Sequence, residues 1–379
     1  MNDRERLVKL LERLNRLDGL DQALYEKLIH DLDRPVPASG YDEDGRLVIT
    51  MFDAKSYDVE SFSQQNRGRF TLRAIEAPLN EDSAIAASGS KVVCIFVNDR
   101  CDAPVVARLA ALGIELIALR CAGYNNVDLK ACQQHRISVV RVPAYSPHAV
   151  AEYSVALMLM LNRHLHKAYM RNRAGYFVLE GLIGFDMRGK TVGVIGTGRI
   201  GQCVIEILLG FGCNVLAFDK FPDPKVASRG NVQYHSLEKV LTESDIITLH
   251  APLTDETYHM INSRSIACMK RGVMLINTSR GGLVDARALI DGLKSGRIGS
   301  AGLDVYEEEA GIFFHDVSDK GITDELLAQL LAFSNVVITS HQAFFTREAL
   351  ANIATTTLAN IEEFIQGKRG KELLNAVEK

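Results

Sequence analysis

At 379 residues the chain is long enough for two domains with full cores. Apolar content of 47% and charged content of 24% are ordinary for a globular protein, and a formal net charge of -4 provides no basic surface for nucleic acid and no polybasic membrane footprint. No apolar stretch approaches the roughly 20 residues that span a bilayer.

The chain opens Met1-Asn2-Asp3-Arg4-Glu5-Arg6. Acids and bases mix there, where a secretory signal needs an apolar stretch and a transit peptide avoids acids, so a cytoplasmic protein is expected. Seven cysteines (Cys94, Cys101, Cys121, Cys132, Cys203, Cys213, Cys268) are scattered without a C-x-x-C pair. That pattern points to reduced thiols, with neither a disulfide framework nor a metal site. Residues 1 to about 34 read as a helix with Leu7, Leu10, Leu11, Leu14 and Leu17 on one face, and Arg34 to Gly40 reads as a linker. Residues 1–45 are therefore expected to form an N-terminal helical extension.

From Leu47 onward strands and helices alternate. Leu47–Met51, Val92–Val97, Ile114–Leu119 and Ile137–Arg141 read as strands, with helices around Ala103–Leu112 and Val127–His135. This alternation predicts a parallel sheet covered on both faces. A break at Pro143-Ala144-Tyr145-Ser146-Pro147 precedes a long apolar helix through Ala149–Leu161. A second sheet is expected from Thr191–Ile195, Val215–Phe218, Ile246–Leu249, Val273–Asn277, Gly299–Asp304 and Val336–Ile338. The last helix, Arg347–Gln366, follows that sheet and is expected to cross back to the first domain. The expected division is 46–147 with 342–379 in one α/β lobe and 148–341 in the other, with a cleft between them.

The strongest local signal is Gly196-Thr197-Gly198-Arg199-Ile200-Gly201, set between the strand Thr191–Ile195 and a helical run through Leu209. Gly196 permits a tight turn, Gly198 lets the backbone approach a pyrophosphate, and Gly201 allows close helix–strand packing. The free N–H groups of the helix start suit phosphates. Asp219, at the end of the next strand, is placed to accept hydrogen bonds from an adenosine ribose, which favours NAD over NADP.

Three charged residues follow strands of the second sheet, where open α/β sheets place their ligands. Arg280 lies in Asn277-Thr278-Ser279-Arg280-Gly281-Gly282, Glu309 just past Gly302-Leu303-Asp304-Val305-Tyr306, and His341 in Ser340-His341-Gln342-Ala343-Phe344. They suit hydride transfer coupled to proton transfer. A carbonyl becoming an alkoxide needs a proton donor such as histidine. A nearby carboxylate favours the imidazolium form, the role expected of Glu309, and a guanidinium grips a substrate carboxylate in bidentate fashion. Taken singly, each also fits a plainer role: Arg280 pairing a surface acid, Glu309 as a solvated member of Glu307-Glu308-Glu309, His341 as a strand-end cap. His250 also ends a strand and is assigned no catalytic role.

The chain resembles the D-2-hydroxyacid dehydrogenase family, most closely its fermentative bacterial D-lactate branch. The resemblance runs from about residue 46 to the C-terminus. It is carried by Arg120-Cys121-Ala122-Gly123-Tyr124-Asn125-Asn126-Val127-Asp128, Val142-Pro143-Ala144-Tyr145-Ser146-Pro147, the glycine motif, Asn277-Thr278-Ser279-Arg280-Gly281, Asp304-Val305-Tyr306-Glu307 and His341-Gln342-Ala343-Phe344. It implies two Rossmann-like lobes, a flavodoxin-like substrate domain and an NAD-binding Rossmann domain. It also implies Arg280 as the substrate-binding arginine, His341 as acid/base and Glu309 as its partner. Arg199 and Ile200 would flank the pyrophosphate, Ala251, Pro252 and Thr257 the adenosine side, and Thr278, Ser279, Arg280 and Asp304 the nicotinamide half. Gly123 and Tyr145 would meet the substrate. Pyruvate and D-lactate are the implied substrate pair, from the stretch Gly311–Asp319 and the apolar Gln342-Ala343-Phe344. Homodimers or homotetramers are implied as well. Two alternatives remain open: a dehydrogenase for a longer 2-oxo acid, and a corepressor-like NAD(H)-sensing interaction protein.

Overall fold

The structure, a computed structural model, describes residues 40–309, 312–314, 316–319 and 321–377. The expected N-terminal helix, and the expected linker up to residue 39, lie outside the described residues. The described chain divides into two compact units, one ending at Tyr145 and resuming at Arg347, the other running from Ser146 to Thr346.

The first unit is built on five parallel strands: β1 (Val48–Met51), β2 (Thr71–Ala74), β3 (Val92–Ile95), β4 (Leu116–Leu119) and β5 (Ser138–Val140), in the order β2-β1-β3-β4-β5. This is the flavodoxin-like doubly wound order. Every residue of β1, β3 and β4 is buried, because both faces of the sheet are covered and a continuous apolar run is the stable choice. β3 stops at Ile95 instead of continuing to Val97, since the Asp99 carboxylate captures the Phe96 and Leu79 N–H groups at 2.6 and 2.5 Å. The helix Arg347–Ile365 belongs to this unit, where Asn352 and Asn360 donate to the Tyr145 and Arg141 carbonyls.

Two elements here escaped the sequence reading. The helix Ser56–Asn66 buries only Asp58, Phe62 and Asn66, so it has one buried apolar residue where a periodic pattern needs several. β2 is a half-buried edge strand, Thr-Leu-Arg-Ala, with no apolar run.

The second unit holds seven parallel strands: β6 (Thr191–Ile195), β7 (Asn214–Phe218), β8 (Val232–Tyr234), β9 (Ile246–Leu249), β10 (Val273–Asn277), β11 (Ile298–Leu303) and β12 (Val336–Ile338). Their order is β12-β11-β10-β9-β6-β7-β8. The chain thus begins mid-sheet at β6, winds out through β7 and β8, then reverses through β9, as in the dinucleotide-binding fold. The three-residue edge strand β8 carried too little pattern to be read. The helix Pro147–Asn162 starts as expected, with Pro147 in its first turn and the Ser146 hydroxyl accepting the Ala149 N–H at 3.2 Å. A further helix, Leu165–Arg173, buries none of its residues and was likewise not read.

The register of this sheet puts one row of residues side by side: Phe218, Ile195, Leu249, Asn277, Leu303 and Ile338 are paired in succession across β7, β6, β9, β10, β11 and β12. The loops that leave the sheet just beyond this row carry almost every residue singled out in this unit.

Candidate active site

The glycine loop sits where the winding reverses. Gly196 has φ +93°, and a side-chain carbon there would lie 2.5 Å from the His250 carbonyl carbon. Only glycine fits that backbone and that contact. A side-chain carbon on Gly201 would lie 2.0 Å from the Gly196 oxygen, which explains the close return of the helix onto the loop. Gly198 differs: nothing lies within 4 Å of where its side chain would be, and it caps the twelve-residue helix Arg199–Gly210. The loop therefore presents open backbone at a helix N-terminus, with Arg199 exposed and Ile200 half-buried beside it. Asp219 locks it in place. Its Oδ2 accepts the Thr197 N–H at 2.6 Å and the Thr197 hydroxyl at 3.1 Å, and its Oδ1 accepts the Phe221 N–H at 2.8 Å. Thr197, also bonded to the Tyr234 hydroxyl at 2.7 Å, was not singled out from sequence. An open phosphate cradle with an acid at the end of β7 fits a dinucleotide with a free ribose 2′-hydroxyl.

The remaining expected cofactor residues follow β9 and β10. Ala251 is buried and its carbonyl accepts the Ser279 hydroxyl at 2.6 Å, tying the two loops together. Pro252 and Thr257 form an outer turn in which the Thr257 hydroxyl donates to the Pro252 carbonyl at 2.7 Å. The Thr278 hydroxyl bonds Ser154 of the helix Pro147–Asn162 at 2.8 Å. His250 is a different case. Its Nε2 meets the Thr248 hydroxyl at 2.9 Å, and burial holds the imidazole down to about 3, so it is neutral.

Arg280 follows β10 directly. Its Nη1 donates to the Ser279 carbonyl at 2.6 Å, and no carboxylate pairs with the guanidinium among the described residues. Past β11, the Asp304 carboxylate is fully buried, and burial pushes it up from the ordinary carboxylate range. It accepts the Thr339 hydroxyl at 2.6 Å and the Gln342 and Ala343 N–H groups at 2.9 and 2.8 Å, while the Asp304 carbonyl accepts the His341 N–H at 2.7 Å. Asp304 thus folds the turn after β12. On that turn His341 stands at φ +54°, with Nδ1 2.9 Å from Glu309 Oε1. Glu309 Oε2 in turn accepts the Tyr306 N–H at 3.1 Å. A bulky residue in the left-handed region signals strain held by its surroundings. The Phe314 ring, itself at φ +66°, lies 6.0 Å from the imidazole.

The second unit therefore brings Gly196, Gly198, Arg199, Ile200, Gly201, Asp219, Ala251, Pro252, Thr257, Thr278, Ser279, Arg280, Asp304, Glu309 and His341 to one end of one sheet. Gly123 and Tyr145 belong to the first unit. There Gly123 lies in the loop after β4, its carbonyl accepting the Cys121 thiol at 3.2 Å, and the Tyr145 carbonyl accepts Asn352. Three further polar residues near this end of the sheet were not singled out from sequence. Tyr153 packs by Thr339 and Gln342, burial raising its hydroxyl, and Tyr258 and His259 gather on Glu307.

Residues 155–343 match the NAD-binding domain of the D-isomer-specific 2-hydroxyacid dehydrogenases. The chain is 51% identical over 323 residues to a 2-hydroxyacid dehydrogenase homolog of Haemophilus influenzae, covering 85% of this chain and 97% of that one. It is 48% identical over 323 residues to the D-lactate dehydrogenase of Escherichia coli, covering 85% of this chain and 98% of that one. The solved structure of the pyruvate reductase of Chlamydomonas reinhardtii aligns with a TM-score of 0.83 at 47% identity, over 87% of this chain and 98% of that one. With both sheets, the phosphate cradle and near-complete coverage of these relatives in agreement, the chain belongs to the D-isomer-specific 2-hydroxyacid dehydrogenase family, and its second unit is the family's NAD-binding domain.

Proposed function

We propose that this protein reduces pyruvate to D-lactate with NADH, with Arg280, Glu309 and His341 carrying the substrate chemistry. The observation behind this reading is the carboxylate-bound imidazole of His341 at the same sheet end as a guanidinium that has no carboxylate partner among the described residues. With Nδ1 held by Glu309, Nε2 is the nitrogen left to donate a proton to the carbonyl oxygen. Arg280 takes the substrate carboxylate and polarises the adjacent carbonyl. Gly123 and Tyr145 are the candidate substrate contacts of the first unit. Bound NADH supplies the hydride, which no side chain can provide.

The choice of pyruvate is supported by the names of two relatives, a D-lactate dehydrogenase and a pyruvate reductase. Phe314 beside His341 and the buried Phe344 make an apolar setting suited to a methyl group. Comparing kcat/KM for pyruvate, 2-oxobutyrate, phenylpyruvate and hydroxypyruvate tests the choice. Pyruvate should lead, and a marked preference for a bulky acid removes the lactate reading. NADH binding without turnover of any acid would point instead to a sensor.

The protein is further proposed to self-associate. Leu165, Met170, Phe177, Leu179 and Ile183 lie within 19 residues of chain and are 54 to 89% exposed, a run of apolar surface that monomers rarely leave to water. Light scattering should give a mass of two or four chains, and a single-chain mass would refute this. All seven cysteines are free thiols, in keeping with a cytoplasmic setting.

A further inference from the structure

The segment Tyr306–Glu309 carries two carboxylates that engage two different histidines. Glu309 takes His341, while Glu307 takes His259, with Oε1 2.6 Å from Nε2. The same Glu307 oxygen accepts the Tyr258 hydroxyl at 2.9 Å, and the Tyr258 and His259 rings stack with centroids 3.9 Å apart. The proposed chemistry makes no use of this second cluster.

Its backbone connections lead to the turn that carries Arg280. The His259 N–H donates to the Gly282 carbonyl at 2.8 Å, and the Ile261 N–H to the Leu283 carbonyl at 3.0 Å. A side-chain carbon on Gly281 would lie 2.1 Å from the Tyr306 carbonyl carbon and 2.4 Å from the Glu307 nitrogen. The turn after Arg280 thus rests directly on the backbone that carries Glu307. His259 is held at φ +49°, a conformation that persists only where the surroundings over-determine it. Glu307 therefore closes a ring of three chain segments: 258–259, 280–283 and 306–309.

The geometry points to Glu307 and His259 as positioning residues for Arg280, a role that rests on the proposed binding of the substrate carboxylate by Arg280. Among the described residues the guanidinium makes one hydrogen bond, to its own neighbour Ser279, so its direction is set by the turn beneath it. A bidentate grip tolerates little misplacement. Replacing the Glu307 carboxylate by a neutral amide weakens the charge-assisted hydrogen bonds that it accepts from both Tyr258 and His259 and loosens the turn.

The test uses the full-length enzyme with NADH and pyruvate, as Glu307→Gln, His259→Asn, Arg280→Lys and the Glu307→Gln/Arg280→Lys pair. Asparagine tolerates the left-handed backbone, so His259→Asn removes the ring contact without adding strain. Each of the first two should raise the pyruvate KM about tenfold with kcat changed less than about threefold, and leave NADH affinity by fluorescence unchanged. On the Arg280→Lys background the Glu307→Gln effect should shrink to less than about twofold. If Arg280→Lys raises KM but folded Glu307→Gln and His259→Asn enzymes keep the wild-type value, or if the pair is fully additive, the inference is overturned alone. A lowered melting temperature with unchanged KM counts the same way. If Arg280→Lys itself leaves KM unmoved, the underlying reading fails and the inference goes with it. Should Glu307→Gln not fold, His259→Asn and its pair with Arg280→Lys decide.

Discussion

His341 meets Glu309 through Nδ1, at 2.9 Å, from a backbone held at φ +54°. Both facts constrain the variants that test its role. The pairing leaves Nε2 for substrate, and the left-handed backbone makes asparagine a gentler replacement than alanine. His341→Asn should lower kcat by about 10²- to 10⁴-fold, the usual contribution of a positioned acid, with NADH affinity kept. Steady-state kinetics beside a fluorescence titration check this, and an unchanged kcat dismisses His341 as the proton donor.

Asp219 is held by Thr197 and the Phe221 N–H, so its carboxylate is fixed at the end of β7, where the proposed cofactor reading puts the ribose. Asp219→Ala should relax the preference for NADH over NADPH, measured as the ratio of the two kcat/KM values. An unmoved ratio discredits the ribose assignment.

His250 gives a pH dependence of stability. Burial holds its folded value at about 3, against 6.5 for an ordinary histidine. The unfolded chain therefore binds a proton that the folded chain refuses, so stability present above pH 6.5 is lost as the pH falls toward 3. Between pH 7 and pH 5 this amounts to about 2 kcal/mol. His250→Gln should narrow the difference in unfolding free energy between those two pH values by about that much. Denaturant titrations at both pH values check it, and an unaltered difference contradicts it.

The legible parts of the fold were those where burial on both faces forces a continuous apolar run, as in β1, β3, β4 and β10. The edge strands β2 and β8 and the helices Ser56–Asn66 and Leu165–Arg173 bury too few apolar side chains to leave a pattern. In the site, Arg280 and Asp219 were visible because each follows an apolar strand with at most two residues between, whereas Asp304 was implied by the family resemblance alone. What separates one histidine or glutamate from another is its partner and its burial in the folded chain, which spacing does not encode. His250 finds Thr248 and desolvation, His341 finds Glu309, and Glu307 turns to His259. Asp304 was expected beside the nicotinamide. In the structure its carboxylate gathers Thr339, Gln342 and Ala343, a bond pattern that became visible only once β11 and β12 were side by side.

The most direct measurement is chiral chromatography of the product formed from pyruvate and NADH by the purified enzyme, run beside His341→Asn. D-lactate in amounts matching the NADH consumed, falling at least about a hundredfold in rate in the variant, is the expected result. L-lactate, no product at all, or an undiminished rate in His341→Asn would contradict the assignment.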